Sequence, residues 1–149
     1  MKIAIKEAQK AEMKGEVPIG CVIVKDGVVI SRGRNMREEK NDATLHAEMV
    51  AIRRACKKLG QWRLEGCEMY VTLEPCPMCA GAIVNSRVDK LFFGAADKVS
   101  GCASSVFPIL SQQQFYHTVD YVGGILGDEC SEMLINFFKK RRKENKLKK

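Results

Sequence analysis

Residues 68–87 read EMYVTLEPCPMCAGAIVNSR. Glu68 to Thr72 reads as a strand, and Cys76 to Arg87 as a helix opened by Pro75, because proline is tolerated where a helix begins and excluded from its interior. Upstream, Leu45, Met49, Ile52, Cys56 and Leu59 recur at helical spacing between Thr44 and Leu59, and Gly60 ends the run. Earlier still, Gly20 to Lys25 and Val28 to Arg32 form two strands joined through Asp26-Gly27, a dipeptide that signals a tight hairpin between β-branched runs. A helix over residues 2–14, with Ile3, Ile5, Ala8 and Ala11 apolar and Gly15 as its stop, precedes the hairpin. Asn35 to Asp42 reads as a polar loop. Downstream, Lys90 to Gly94 and Val119 to Val122 read as strands and Asp128 to about Lys146 as a long final helix. Strands alternating with helices after an initial hairpin imply a layered α/β fold with a mixed sheet. No repeat, low-complexity stretch or Pro/Gly/Ser-rich linker interrupts the chain, so residues 1–149 read as one domain with a basic segment at 139–149.

The helix openings carry the chemistry. Cys76 and Cys79, three apart in a first turn, present both sulfurs on one side, where free backbone amides and the helix dipole favour thiolate over thiol. Thiolate is the form that binds zinc. His46, in the first turn of the 44–59 helix, supplies a neutral nitrogen as a third ligand. Three protein ligands leave a tetrahedral zinc one open position for water, the arrangement of a catalytic site. Zinc lowers the pKa of bound water from 15.7 to about 7, which gives a hydroxide able to attack an aromatic carbon bearing an exocyclic amine. Glu48, two residues past His46, is placed to shuttle the proton without ligating the metal. Two other readings of Cys-x-x-Cys stand beside this one. A thioredoxin-type redox pair uses the same spacing, and a structural zinc site would need a fourth ligand, for which His117 and Cys102 are candidates.

Composition narrows the class. With 46% hydrophobic and 29% charged residues, the chain has the profile of a soluble globular protein. No stretch approaches the roughly 18 consecutive apolar residues of a membrane span. The opening MKIAIKE carries charges where a signal peptide needs an apolar run, which points to the cytoplasm. Seven cysteines, an odd number in a chain of this composition, argue against a secreted disulfide scaffold. Cys21, Cys56, Cys67 and Cys130 stand in apolar or helical contexts and read as small buried hydrophobes. Charge is localised. Residues 139–149, KKRRKENKLKK, hold eight basic residues and one acidic, which leaves 17 of each sign in residues 1–138. A cationic segment on a neutral body suits a phosphate-bearing partner; the same residues would also suit a solvated helix C-terminus.

His46-x-Glu48 followed by a strand and then Pro75-Cys76-x-x-Cys79 resembles the signature of the cytidine deaminase-like superfamily. Within it the chain is similar to the bacterial tRNA-specific adenosine deaminases. The likeness rests on Val17-Pro18-Ile19-Gly20, on Leu73 to Ala82, on Gly124-Ile125-Leu126-Gly127-Asp128-Glu129-Cys130, and on Phe137-Phe138 with the basic run after them. The resemblance implies a three-layer α/β/α fold with a five-stranded mixed sheet, one zinc ion per subunit and a homodimer, with no other protein partner expected. It also implies hydrolytic conversion of adenosine to inosine at the wobble position of a tRNA anticodon stem-loop, most naturally that of an arginine tRNA. By the same resemblance Asn35 hydrogen-bonds the target base and Asp97 sits near the flanking ribose. Val17 borders the base, and the backbone amides of Ala47 and Cys76 hold the base edge and bound water. The sequence departs from the family in a later start to the first helix, in Asp42-Ala43 where Asp-Pro is usual, and in Leu45 where a small residue is common. Two alternatives remain. One is a deaminase of a free base or nucleoside such as guanine or cytosine, which would need no cationic handle; the other is a non-catalytic zinc-stabilised RNA-binding module, which would not require Glu48.

Overall fold

In the computed structural model, which describes residues 1–148, Asp26 and Gly27 take φ values of 50° and 73°. Two consecutive positive φ angles make the turn whose twist matches its flanking strands. It joins β1 (Gly20–Lys25) to β2 (Val28–Arg34) as an antiparallel pair with a register irregularity between Ile23 and Val24. The other edge of β1 pairs antiparallel with β3 (Cys67–Leu73). From there the pairing is parallel: β3 with β4 (Lys90–Ala95), and β4 with β5 (Asp120–Val122). The result is a five-stranded mixed sheet in the order β2-β1-β3-β4-β5.

Strand periodicity sorts the helices onto two faces. Cys21 and Ile23, Met69 and Val71, and Leu91 and Phe93 share one core with the buried faces of α3 (Ala47–Leu59) and α4 (Pro77–Asn85). On the opposite face lie α1 (Lys2–Met13) and α5 (Gly127–Leu147), close enough that a Cβ on Gly20 would strike Ala4 and one on Gly94 would strike Cys130, and Ile5 and Cys130 cluster with Leu73 and Ala95 at the strand ends. This is the three-layer α/β/α arrangement. The polar 35–42 segment, read as loop, contains a four-residue helix, α2 (Arg37–Lys40). One turn is too short to carry a hydrophobic period, so sequence offered no sign of it. His46 and Cys76, expected inside first turns, are instead the N-cap residues of α3 and α4, each with extended backbone. Helix α4 ends at Asn85, before the expected Arg87, which lies beyond it with a left-handed φ of 63°. The basic run expected to 149 continues α5 as helix to Leu147, and Lys149 lies outside the described residues.

The position of α3 depends on a close approach to β2. Ser31 donates a 2.8 Å hydrogen bond to the Ala51 carbonyl, and two residues on, a Cβ built on Gly33 would collide with the Ala47 carbonyl oxygen and crowd the Ala51 nitrogen. Both obstacles are helix backbone and cannot swing aside. Gly33→Ala is therefore expected to cost about 2–3 kcal/mol through overpacking. Thermal denaturation should show a fall in Tm of about 5–10 °C, and an unchanged Tm would mean that α3 can lift off the sheet freely.

Candidate metal centre and substrate cavity

Strand β3 ends at Leu73, and the next residue turns the chain toward α4. The Glu74 N–H donates to the Ala95 carbonyl at 2.9 Å, which holds the β3 exit against the end of β4. Cys76 follows as N-cap, with Pro77 in the first turn, and Cys79 faces inward one turn along. Helix α3 delivers His46 in the same capping position, with φ −71° and ψ 155°. Neither helix start is closed by a side-chain cap, so two positive dipole ends converge on one spot.

At that spot His46 Nδ1 lies 3.6 Å from Cys76 Sγ and 3.5 Å from Cys79 Sγ. Tetrahedral zinc with ordinary bond lengths places a nitrogen and a sulfur ligand about 3.5 Å apart. The three donor atoms lie within 4.8 Å of one another and form the one such metal-competent group among the described residues. Neither suggested fourth ligand joins them. The ring Nε2 of His117 sits 2.7 Å from the Val88 carbonyl, and the Cys102 thiol donates to the Ser100 carbonyl at 3.4 Å. A tetrahedral ion held by these three donors would keep one position for water, as a catalytic centre requires.

The pair of thiols shares its charge unequally. A hydrogen bond from Cys79, together with His46, brings Cys76 down to about 4, so it stands as thiolate. Cys79 is pushed far above the usual thiol range by its bond to that sulfur and by burial, and so keeps its proton. The expectation of two thiolates thus applies once a cation displaces the second proton. Interaction with Cys76 raises His46. Glu48, 4% exposed, is lifted by burial to about 7, against the opposing pull of His46. A carboxyl poised near neutrality can both take and give a proton.

A cavity of about 310 Å³ opens over this centre. Val17, Asn35, His46, Glu48, Cys76 and Asp97, dispersed over 81 positions of sequence, all line it. Ala47 does not; it is fully buried beneath the first turn of α3. Asn35 is 3% exposed, with its Nδ2 directed at the Val17 carbonyl at 3.5 Å and its Oδ1 without any partner. Asp97 commits its oxygens to its own loop: Oδ1 accepts from the Val99 and Ser100 amides at 2.9 and 3.1 Å, and Oδ2 from the Ser100 hydroxyl at 2.8 Å. Sequence reasoning missed Arg37, Glu74 and Ser100, which also line the cavity. The one available signal among them was Glu74, a carboxylate embedded in an otherwise apolar strand-to-helix junction. The Phe137-Phe138 pair divides: Phe137, 7% exposed, packs inward, whereas Phe138, 43% exposed, lines the cavity from α5.

Residues 1–95 match the family model for the cytidine and deoxycytidylate deaminase zinc-binding region. Over 146 residues the chain is 54% identical to the tRNA-specific adenosine deaminase of Bacillus subtilis (strain 168), a match that spans 98% of this chain and 91% of that protein. A solved tRNA:A34 deaminase, studied for A-to-I editing at the wobble position of transfer RNA, superposes with a TM-score of 0.87 at 46% identity, covering 90% of this chain and 97% of the other. The structure of a guanine deaminase from Bacillus subtilis gives a TM-score of 0.63 at 34% identity, covering 95% of this chain and 90% of that one. Fold, three-ligand centre and whole-chain identity converge, and the chain belongs to the tRNA-specific adenosine deaminase family of zinc-dependent hydrolytic deaminases.

Proposed function

We propose that the chain converts adenosine to inosine at the wobble position of a tRNA anticodon, that of an arginine tRNA, with His46, Cys76 and Cys79 as zinc ligands and Glu48 as proton shuttle. The observation that carries the chemistry is the three-donor centre with a buried carboxyl beside it in one cavity. Zinc held there supplies a water activated for attack near neutral pH. Glu48 takes a proton from that water and returns protons to the ring nitrogen and the departing amine; water adds, ammonia leaves, and no oxidant is needed. Asn35 orients the base through its unpaired Oδ1 and its Nδ2, with Val17 and the helix-start amide at Cys76 along the base edge; Ala47, outside the cavity lining, has no such part.

The substrate assignment has separate support. A cavity of about 310 Å³ has room for one flipped-out base, as a single-stranded loop would present it. The chain shares 54% identity with the tRNA enzyme of Bacillus subtilis and 34% with a guanine deaminase of that species, which favours RNA over a free base. Phe138 lines the cavity, and the cations Lys139 to Lys143 follow it directly along α5, so the positive stretch starts at the cavity rim. Arg141 is turned toward the end of α1, where it stacks over Phe137 and donates a 3.5 Å bond to the Gly15 carbonyl. Its neighbours project into solvent, placed to neutralise phosphates flanking the splayed base. Asp97, committed to its loop, meets the ribose through the wall it shapes.

We read residues 1–149 as one catalytic domain acting as a homodimer in the cytoplasm, where its tRNA resides. Pairing is supported by Val106, Phe107, Phe115 and Tyr116, large apolar side chains left exposed along one loop. Among the described residues no helix is long and apolar enough to cross a membrane.

Three outcomes are expected. Purified protein should carry one zinc per chain by elemental analysis, and Cys79→Ala should carry less than a tenth of that; full zinc in the variant would refute the ligand set. Offered an arginine tRNA anticodon stem-loop, free adenosine, guanine and cytosine, the wild type should yield inosine only in the RNA by mass spectrometry, whereas Glu48→Ala should keep its zinc and lose at least about 10³-fold in kcat. Ammonia from guanine alone would give preference to the free-base reading. Removal of residues 139–149 should weaken stem-loop binding and reduce the slope of log affinity against log salt by several units, roughly 0.7 for each single-strand phosphate that the tail neutralises; an unchanged slope would exclude the tail from the RNA.

A further inference from the structure

Among the described residues two buried side-chain atoms lack any hydrogen-bond partner, Asn35 Oδ1 and Glu74 Oε2, and both residues line the cavity. Asn35 has a part in orienting the base; Glu74 has none. A carboxylate only 2% exposed must be heavily hydrogen-bonded to persist, and this one is, but from one side. Its Oε1 accepts from the amides of Ser104 and Ser105 at 3.3 and 3.2 Å and from their hydroxyls at 3.4 and 2.9 Å. Its other oxygen rests against Gly101, where an added Cβ would collide with it.

These bonds tie together three parts of the cavity. Glu74 precedes the metal segment by two residues, so its backbone sets how Cys76 leads into α4. Its side chain grips Ser104 and Ser105, and the same loop is pinned again where the Cys102 amide donates to the Pro75 carbonyl at 2.8 Å. Just upstream, the Gly101 amide donates to the Asp97 carbonyl at 2.9 Å, closing the turn that aims Asp97 and Ser100 into the cavity. The far wall has no helix or strand of its own to hold it; residues 96–119 are turns and loops. Its alignment with the metal segment therefore rests on the Cys102–Pro75 backbone bond and on the one buried carboxylate whose side chain reaches across to it.

We propose that Glu74 is a positioning residue: it fixes the Asp97–Ser105 wall relative to Cys76 and so governs substrate binding, while leaving the metal and proton transfer untouched. The assignment rests on the reading that this cavity holds the target nucleotide. Glu74→Gln preserves shape but replaces one acceptor oxygen by a donor, which must face either the serine amides or the packed backbone at Gly101. Steady-state kinetics on the stem-loop should show KM raised about tenfold or more with kcat within about threefold of wild type, at one zinc per chain. A merely structural role would lower zinc content and kcat together with the folded fraction and leave KM alone; that result, or wild-type KM in the variant, overturns the proposal. Ser104→Ala with Ser105→Ala removes the hydroxyl donors without disturbing the carboxylate, which keeps the test open should Glu74→Gln fold poorly. That double variant should raise KM about threefold, and adding Glu74→Gln to it should give no more than Glu74→Gln alone. Strict additivity of the effects, or wild-type KM in the serine variant, also counts against the strut. Wild-type enzyme on the same RNA separates the two ideas: its inactivity defeats the substrate reading, and the KM comparison then moves to whichever base it does deaminate.

Discussion

A histidine nitrogen and two sulfurs, 30 and 33 residues away in sequence, meet at 3.5 to 3.6 Å, and much of the architecture answers to that requirement. The donors stand at the starts of two different helices, so a rotation or lift of either by about an ångström would separate them. Each helix is fixed by a feature of the sheet beneath it. Helix α3 sits on β2 at van der Waals distance because Gly33 has no side chain and Ser31 bonds the helix backbone. Helix α4 is the short crossover between the parallel strands β3 and β4, and the bond between Glu74 and Ala95 fixes its starting point. Close packing of this kind compresses little, so the centre is held by the core as a whole.

Electrostatics then work on a site the fold has already assembled. Two helix starts bring positive potential to one point, and the protein places there a thiolate, a second thiol and a carboxyl. Without compensation, burial of such groups would be costly. Part of that compensation is internal: one sulfur holds the proton while the other holds the charge, and burial lifts Glu48 toward neutrality. A divalent cation held by these donors would complete the balance in place of the Cys79 proton, and would draw a nearby carboxyl toward its charged form.

Much of this was legible in the amino-acid order, wherever a short-range rule with a physical cause applied. Asp26-Gly27 announced a hairpin because the turn demands two positive φ angles, and both are present. The apolar period from Leu45 to Leu59 announced α3, and ligand spacing announced the metal centre. Rules of that kind fail where structure is held by long-range interactions. Helix α2 is one turn long and has no period to read. Residues 96–119 form the far wall through hydrogen bonds to Pro75 and Glu74, which no local pattern encodes. Neighbours with the same chemistry also defeat sequence, as the division between Phe137 and Phe138 illustrates; the helix rotation that separates them is decided by what α5 packs against. The caps show the same limit on a finer scale, since His46 and Cys76 read as first-turn residues and stand one residue outside those turns.

Unpaired buried acceptors are expensive, about 1–3 kcal/mol each, and a native protein keeps few of them. Here both Asn35 Oδ1 and Glu74 Oε2 belong to residues lining a single cavity, whereas elsewhere even the wholly buried carboxylate of Glu16 is bonded, to the Glu39 amide at 2.7 Å. Placement by chance would scatter such atoms through the core. Their place beside the metal centre leaves acceptor capacity in the cavity wall, since an acceptor already paired within the fold has nothing left to offer a substrate. The two atoms differ in their use of that freedom. Asn35 leaves its Oδ1 open at the cavity, while Glu74 is held by four donors on one side and by backbone on the other, so any influence it has passes through the loop it grips. On the proposed role of Glu74, selectivity is set less by the metal segment, which every substrate of this centre would meet alike, than by how firmly a loop with no secondary structure is held against it.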